Sequence, residues 1–122
     1  MNVEDELHQQ AIPDAWRRTL FEIVEAFRTG DFRLSAGIPG VRPLPDEEAE
    51  RIAANLDVYG AHLASLPEST WETSVCQWMH GHWDAWIDLY TVEEGRSDLA
   101  LFVTVVESAD GFEFQVESVH VP

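Results

Sequence analysis

The chain has 122 residues, enough for one domain around one hydrophobic core and not for two. With 45% hydrophobic and 11% aromatic residues it is too apolar to stay disordered, even at a formal net charge of −16. That charge repels nucleic acid and anionic membrane and favours encounter with basic proteins.

The charge is unevenly spread. Residues 1–42 carry seven acids and five Arg, whereas residues 43–122 carry sixteen acids against Arg51 and Arg96, and there is no Lys anywhere. A lone cysteine, Cys76, allows no intrachain disulfide, so a disulfide-built secreted scaffold is excluded. The first residues, MNVEDE, have neither a basic nor an apolar leader region, and no apolar run approaches ~18 residues. The expected setting is the cytoplasm, with no membrane partner.

In chain order, residues 1–12 are polar and expected to be loosely ordered within a single domain spanning 1–122. Pro13 suits a helix start, and Trp16, Leu20, Ile23, Val24 and Phe27 follow at helical spacing, which predicts a helix over 13–29 stopped by Gly30. Residues 30–45 hold three Gly and three Pro and read as a long connection. Asp46 is a candidate N-cap, and Glu47, Glu48 and Glu50 complement a helix dipole. Ile52, Leu56, Tyr59, Leu63 and Leu66 continue a stripe, predicting a second helix over 46–65 ended by Pro67, with Gly60 a weak point.

The remainder reads as strands. Residues 72–79 form one, interrupted by His80-Gly81-His82. Residues 83–91 alternate, with Trp83, Ala85, Ile87 and Leu89 on one face and Asp84, Trp86, Asp88 and Tyr90 on the other. A hairpin connection at 93–97, a doubly apolar strand over 98–107, an Asp110-Gly111 turn and a strand over 112–121 complete the pattern. The expected fold class is α+β: two N-terminal helices packed on an antiparallel meander of three to four strands.

Four constellations bear on chemistry. Cys76, His80, His82 and Asp84 are all metal-ligand types, and would serve a small metal-dependent or hydrolytic enzyme. Their spacing matches no common structural zinc pattern. Asp84 and Asp88 lie about 13 Å apart at strand rise, too far for a shared-proton pair and beyond the usual glycosidase separations. Cys76 lacks a nucleophile motif, and a Lys-free chain has no Walker lysine. These readings lead to no catalytic residues, no metal and no cofactor.

The fourth constellation is a surface. If 98–107 is an interior strand, Ala100, Phe102 and Thr104 lie between Asp84, Trp86 and Asp88 on one neighbour and Glu113, Gln115 and Glu117 on the other. An aromatic centre rimmed by carboxylates suits protein binding, with Trp86 the natural anchor. Glu93 and Glu94, in the preceding turn, join the candidate partner-binding residues. The competing arrangement has a helix covering the apolar part of this face, and Trp16, Trp71, Trp78 and Trp83 are expected in the core. Arg96, amid Glu93, Glu94 and Asp98, is expected to form a local ion pair.

The block from Trp83 to Leu99, WDAWIDLYTVEEGRSDL, resembles a segment of small uncharacterised bacterial proteins, and the terminal Val119-His120-Val121-Pro122 is familiar in the same setting. In general character the chain is similar to bacterial immunity proteins: small, acidic, single-domain and rich in aromatics. That resemblance implies an antitoxin that binds and neutralises a basic toxin domain such as a nuclease, and it transfers no residue role. The remaining alternative is a subunit of a larger assembly that self-associates through the aromatic face.

Overall fold

A computed structural model describes residues 9–122. Its elements are strand β1 (Gln10–Ala11), helix α1 (Asp14–Arg28), helix α2 (Asp46–Tyr59), a 3-10 helix (Glu68–Glu72) and strands β2 (Val75–Trp78), β3 (Trp83–Thr91), β4 (Gly95–Ser108) and β5 (Gly111–His120). The strands form one sheet in the order β1-β2-β3-β4-β5, every pair antiparallel. The α+β class and the meander match the sequence expectation, but among the described residues the strands number five rather than three to four. The additional one is β1, two residues paired to Val75 and Cys76, inside the segment expected to be loose. Ile12, next in sequence, is buried in the core. Residues 1–8, the rest of that segment, lie outside the described residues.

Helix α1 forms where the apolar stripe requires it, burying Trp16, Leu20, Ile23, Val24 and Phe27. Asp14 in its first turn and Arg28 in its last complement the helix dipole. At its end the Asp31 N–H donates to the Ala26 carbonyl and the Gly30 N–H to the Phe27 carbonyl, with Gly30 at φ +94°. That double bond pattern is a Schellman stop, and the left-handed residue it needs is the glycine.

Two expectations about α2 are corrected. Its N-cap is Pro45, and Asp46, the first helical residue, pairs with Arg33 instead of capping. Its end is Tyr59, not residue 65, because Gly60 adopts the left-handed conformation at φ 82° and closes the helix on the Leu56 carbonyl. Leu63 and Leu66 are still buried, but along an extended segment whose Ala64 N–H donates to the Tyr90 carbonyl. The strand expected over 72–79 is shorter, since residues 68–72 coil into the 3-10 helix with Thr70 and Trp71 buried.

Pleating then sorts the sheet into two faces. Ala85, Ile87 and Leu89 of β3, Leu99, Leu101, Val103 and Val105 of β4, and Phe114, Val116 and Val119 of β5 join the helix stripes in one core. Trp16 sits at its centre, edge-on to Trp83, Phe112 and Phe114 at ring separations of 5.8, 5.6 and 6.3 Å. Trp71 is buried as expected, while Trp78 and Trp83 are half-buried and pack on each other 5.1 Å apart.

The 30–45 connection is pinned to the sheet. The Phe114 N–H donates to the Gly40 carbonyl and the Arg42 N–H to the Phe114 carbonyl, a parallel bridge along the outer side of β5. Farther along the same strand, the Asn55 side-chain amide donates to the Val119 carbonyl.

Candidate functional site

Among the described residues the helices cover one side of the sheet, and no helix packs on the other. The competing arrangement, in which a helix covers Phe102, is therefore not the one adopted. On the open face Asp84 lies beside Thr104, Trp86 beside Phe102 and Asp88 beside Ala100. Across β4, Thr104 lies beside Gln115, Val106 beside Glu113, Phe102 beside Ser118 and Ala100 beside His120. Asp84, Trp86, Asp88, Phe102, Glu113 and Glu117 are thus brought together as the alternation predicts.

One member of the face was not foreseen. The β4–β5 register shifts between Phe102 and Val103, so one extra β5 residue is accommodated at Glu117. A one-residue insertion exchanges the two faces beyond it. Before the bulge the odd residues Glu113 and Gln115 face outward; after it Val119 is buried and His120 is exposed. The imidazole of His120 stacks on Phe102 at 4.4 Å and 9°, and Phe102 meets Trp86 edge-on at 6.3 Å. An aromatic row, Trp86-Phe102-His120, consequently crosses three strands. Uninterrupted alternation could not have placed His120 there.

Each carboxylate of the face has an intramolecular contact. Arg96 reaches Asp88 at 3.5 Å, and Thr73 donates its hydroxyl to the same carboxylate. Arg42 reaches Glu113 at 3.4 Å. His82 Nε2 lies 3.2 Å from Asp84, and the Thr104 hydroxyl donates to Glu117 at 3.0 Å. The local pairing expected of Arg96 with Glu93, Glu94 or Asp98 is replaced by this cross-strand pair, because strand pairing sets Arg96 beside Tyr90 and within reach of Asp88.

Glu93 and Glu94 stand apart from the face. They occupy the β3–β4 turn and bind the last residue of α2 and the chain just after it. Glu93 accepts from the His62 backbone N–H at 2.8 Å and meets His62 Nδ1 at 2.6 Å; these bonds pull its carboxyl down to about 2. Glu94 accepts from the Tyr59 hydroxyl at 3.0 Å. The hydrogen bond and charge of Glu93 in turn raise His62 above its ordinary 6.5.

The signs define a pH window. Glu93, lowered on folding, supports this tie above its ordinary 4.5, and the support fades as pH falls toward 2. His62, raised on folding, supports it below 6.5, and the support fades as pH rises through its folded value. The tie is therefore strongest between 4.5 and 6.5. An NMR titration of the His62 imidazole should give a midpoint above 6.5 that drops toward it in Glu93→Gln; an unchanged midpoint in the variant would contradict the pairing.

The Cys76, His80, His82 and Asp84 quartet does not assemble. Cys76 pairs in register with Ala85 and is buried on the helix side, where desolvation pushes its thiol up to about 11. Asp84 points to the opposite face, and His80 lies in the β2–β3 turn at φ 57°. Among the described residues no group of three His, Cys, Asp or Glu side chains is placed to hold a metal ion. No helix among them is long and apolar enough to cross a membrane. A separate hollow of about 450 Å³ lies between α1 and the 3-10 helix, lined by Arg17, Phe21, Leu66 and Trp71 among others. Arg17 is already engaged there, donating to the Ile12 carbonyl and lying 5.4 Å from the Trp71 ring centre.

Fold and face together define a small α+β domain with two helices on one side of a five-stranded meander and an acidic, aromatic face on the other. The family model described as a domain of unknown function (DUF7668) matches residues 24–122, and the chain belongs to that family. The match takes in the C-terminal part of α1 and everything after it, including the whole open face. No curated protein and no solved structure matches the chain.

Proposed function

We propose that this chain is a bacterial immunity-type protein, an antitoxin that acts in the cytoplasm by docking its open sheet face onto a basic toxin domain. The observation that supports this reading is the uncovered face itself: Trp86 and Phe102 at its centre, with Asp84, Asp88, Glu113 and Glu117 around them. A nuclease domain is the kind of target that presents a basic substrate cleft, and an acidic face competes for such a cleft. The surplus of sixteen acids over two Arg after residue 42 steers the encounter.

The existing ion pairs do not preclude docking. Both pairs are long, 3.5 Å for Asp88–Arg96 and 3.4 Å for Glu113–Arg42, and every side chain in them but the half-buried Asp88 is open to solvent, where such pairs contribute only ~0–1 kcal/mol. A partner's Arg or Lys can replace them at little cost. Self-association through the same face is less favourable, because it sets carboxylates against carboxylates.

The test is to mix the purified chain with the toxin domain encoded by the adjacent gene. The expected result is tight association that weakens steeply with salt and falls by about 100-fold on charge reversal of Asp84, Asp88, Glu113 and Glu117 together. Association indifferent to those reversals overturns the face, and an adjacent gene encoding no such domain overturns the toxin reading.

A further inference from the structure

The open face is not uniformly acidic, because its cations are unevenly matched to its carboxylates. Arg96 offsets Asp88 and Arg42 offsets Glu113. Among the described residues no Arg pairs with Asp84 or Glu117; Asp84 has His82 and Glu117 has a neutral hydroxyl. The two carboxylates without an Arg partner therefore lie on either side of β4, on strands whose backbones are two interstrand spacings, about 10 Å, apart.

Between these carboxylates lies a hollow of about 230 Å³, lined by Trp86, Phe102, Thr104 and His120 as well as Asp84 and Glu117. Pockets for small organic ligands span ~300–1,000 Å³, so this one suits a single inserted side chain better than a whole ligand. Alternation sets Glu117 on the same side as Thr104, whose hydroxyl it accepts, and the bulge beside it turns Ser118 and His120 to that side as well. The imidazole of His120 stacks parallel on Phe102 at this hollow, a flat polar ring lying against the aromatic wall.

A carboxylate at each margin and an aromatic wall between them fit a guanidinium. It donates in its plane to carboxylates while its faces lie against rings, and its stem is apolar. An ammonium is a compact, strongly hydrated point charge and cannot satisfy the wall and both margins together. We infer that the hollow receives one arginine side chain of the basic partner, held between Asp84 and Glu117 with its stem against Trp86 and Phe102. The inference rests on the docking reading above and names the anchor it uses.

The experiment titrates the protein with capped arginine, capped lysine, capped citrulline and a nona-lysine peptide, following the Trp86 indole N–H by NMR. Capped arginine should shift that signal saturably, by at least about fivefold more than capped lysine at equal concentration. Capped citrulline, isosteric and uncharged, should not. The Asp84→Asn, Glu117→Gln double variant, checked as folded from its amide spectrum, should lose the arginine response. Equal responses to arginine and lysine, or to arginine and citrulline, overturn the arginine assignment. If nona-lysine shifts the face while capped arginine does not, the hollow is not the anchor but the acidic docking face stands. If neither acts, both readings fall.

Discussion

Replacing Trp16 with alanine should lower the unfolding free energy by about 3–5 kcal/mol, the range for truncating a fully buried large aromatic. Trp16 is 1% exposed and contacts three rings, from β3 and from both ends of the Phe112–Phe114 stretch of β5. Its loss removes the element that joins α1 to two strands at once. Among the described residues the buried indole Nε1 has no hydrogen-bond partner. Trp16→Phe should therefore recover much of the loss, since it removes volume but also an unsatisfied donor worth about 1–3 kcal/mol when stranded. Phe21→Ala on the same helix is the control, because Phe21 is 38% exposed and should matter far less. Urea unfolding curves of the three variants check the order. If Trp16→Ala is no worse than Phe21→Ala, the core is not centred where it is described.

The second large effect is expected at Gly40. A Cβ there would lie 2.8 Å from the Phe112 carbonyl oxygen, a backbone atom that cannot swing away, and the residue sits at φ +77°. Gly40→Ala thus combines left-handed strain of about 1–2 kcal/mol with an overlap costing about 1–3 kcal/mol. Gly37 separates these contributions. It has a similar φ, +84°, but open space around its Cβ position, so Gly37→Ala should show the strain alone. Relief of the overlap would push the loop away from β5 and free both backbone groups of Phe114 that it satisfies. Faster amide exchange at Phe114 in Gly40→Ala, but not in Gly37→Ala, is the local signature. Equal stability of the two variants would contradict the close approach.

Periodicity carried the sequence reading wherever one face of an element is buried. Helix α1 and strand β3 lie where their stripes predicted, and the alternation of β3 sorted Ala85, Ile87 and Leu89 from Asp84, Trp86 and Asp88 correctly. The misses each have a local physical origin. Leu63 and Leu66 prolong a helical stripe, yet Gly60 in the left-handed region outweighs it, and the same leucines reach the core from an extended chain. Strand β1 is two residues long, too short for any period, and exists because the edge of β2 offers it partners. Within the candidate face, six residues were legible from alternation. His120 is hidden by the bulge, and the His62 and Tyr59 contacts that occupy Glu93 and Glu94 join residues more than thirty positions apart, which no local pattern shows.

The bridge between the 30–45 connection and β5 also bears on how this sheet avoids growing. A long strand with free amides on its outer side invites another chain to add to it, and exposed aromatics nearby increase that hazard. Here Phe114 spends its backbone groups on Gly40 and Arg42, and the Val119 carbonyl is taken by Asn55. Strand-by-strand polymerisation is thereby obstructed on the β5 side. A face kept sticky for one partner needs such a guard, and loosening the loop should expose an aggregation route before it unfolds the domain.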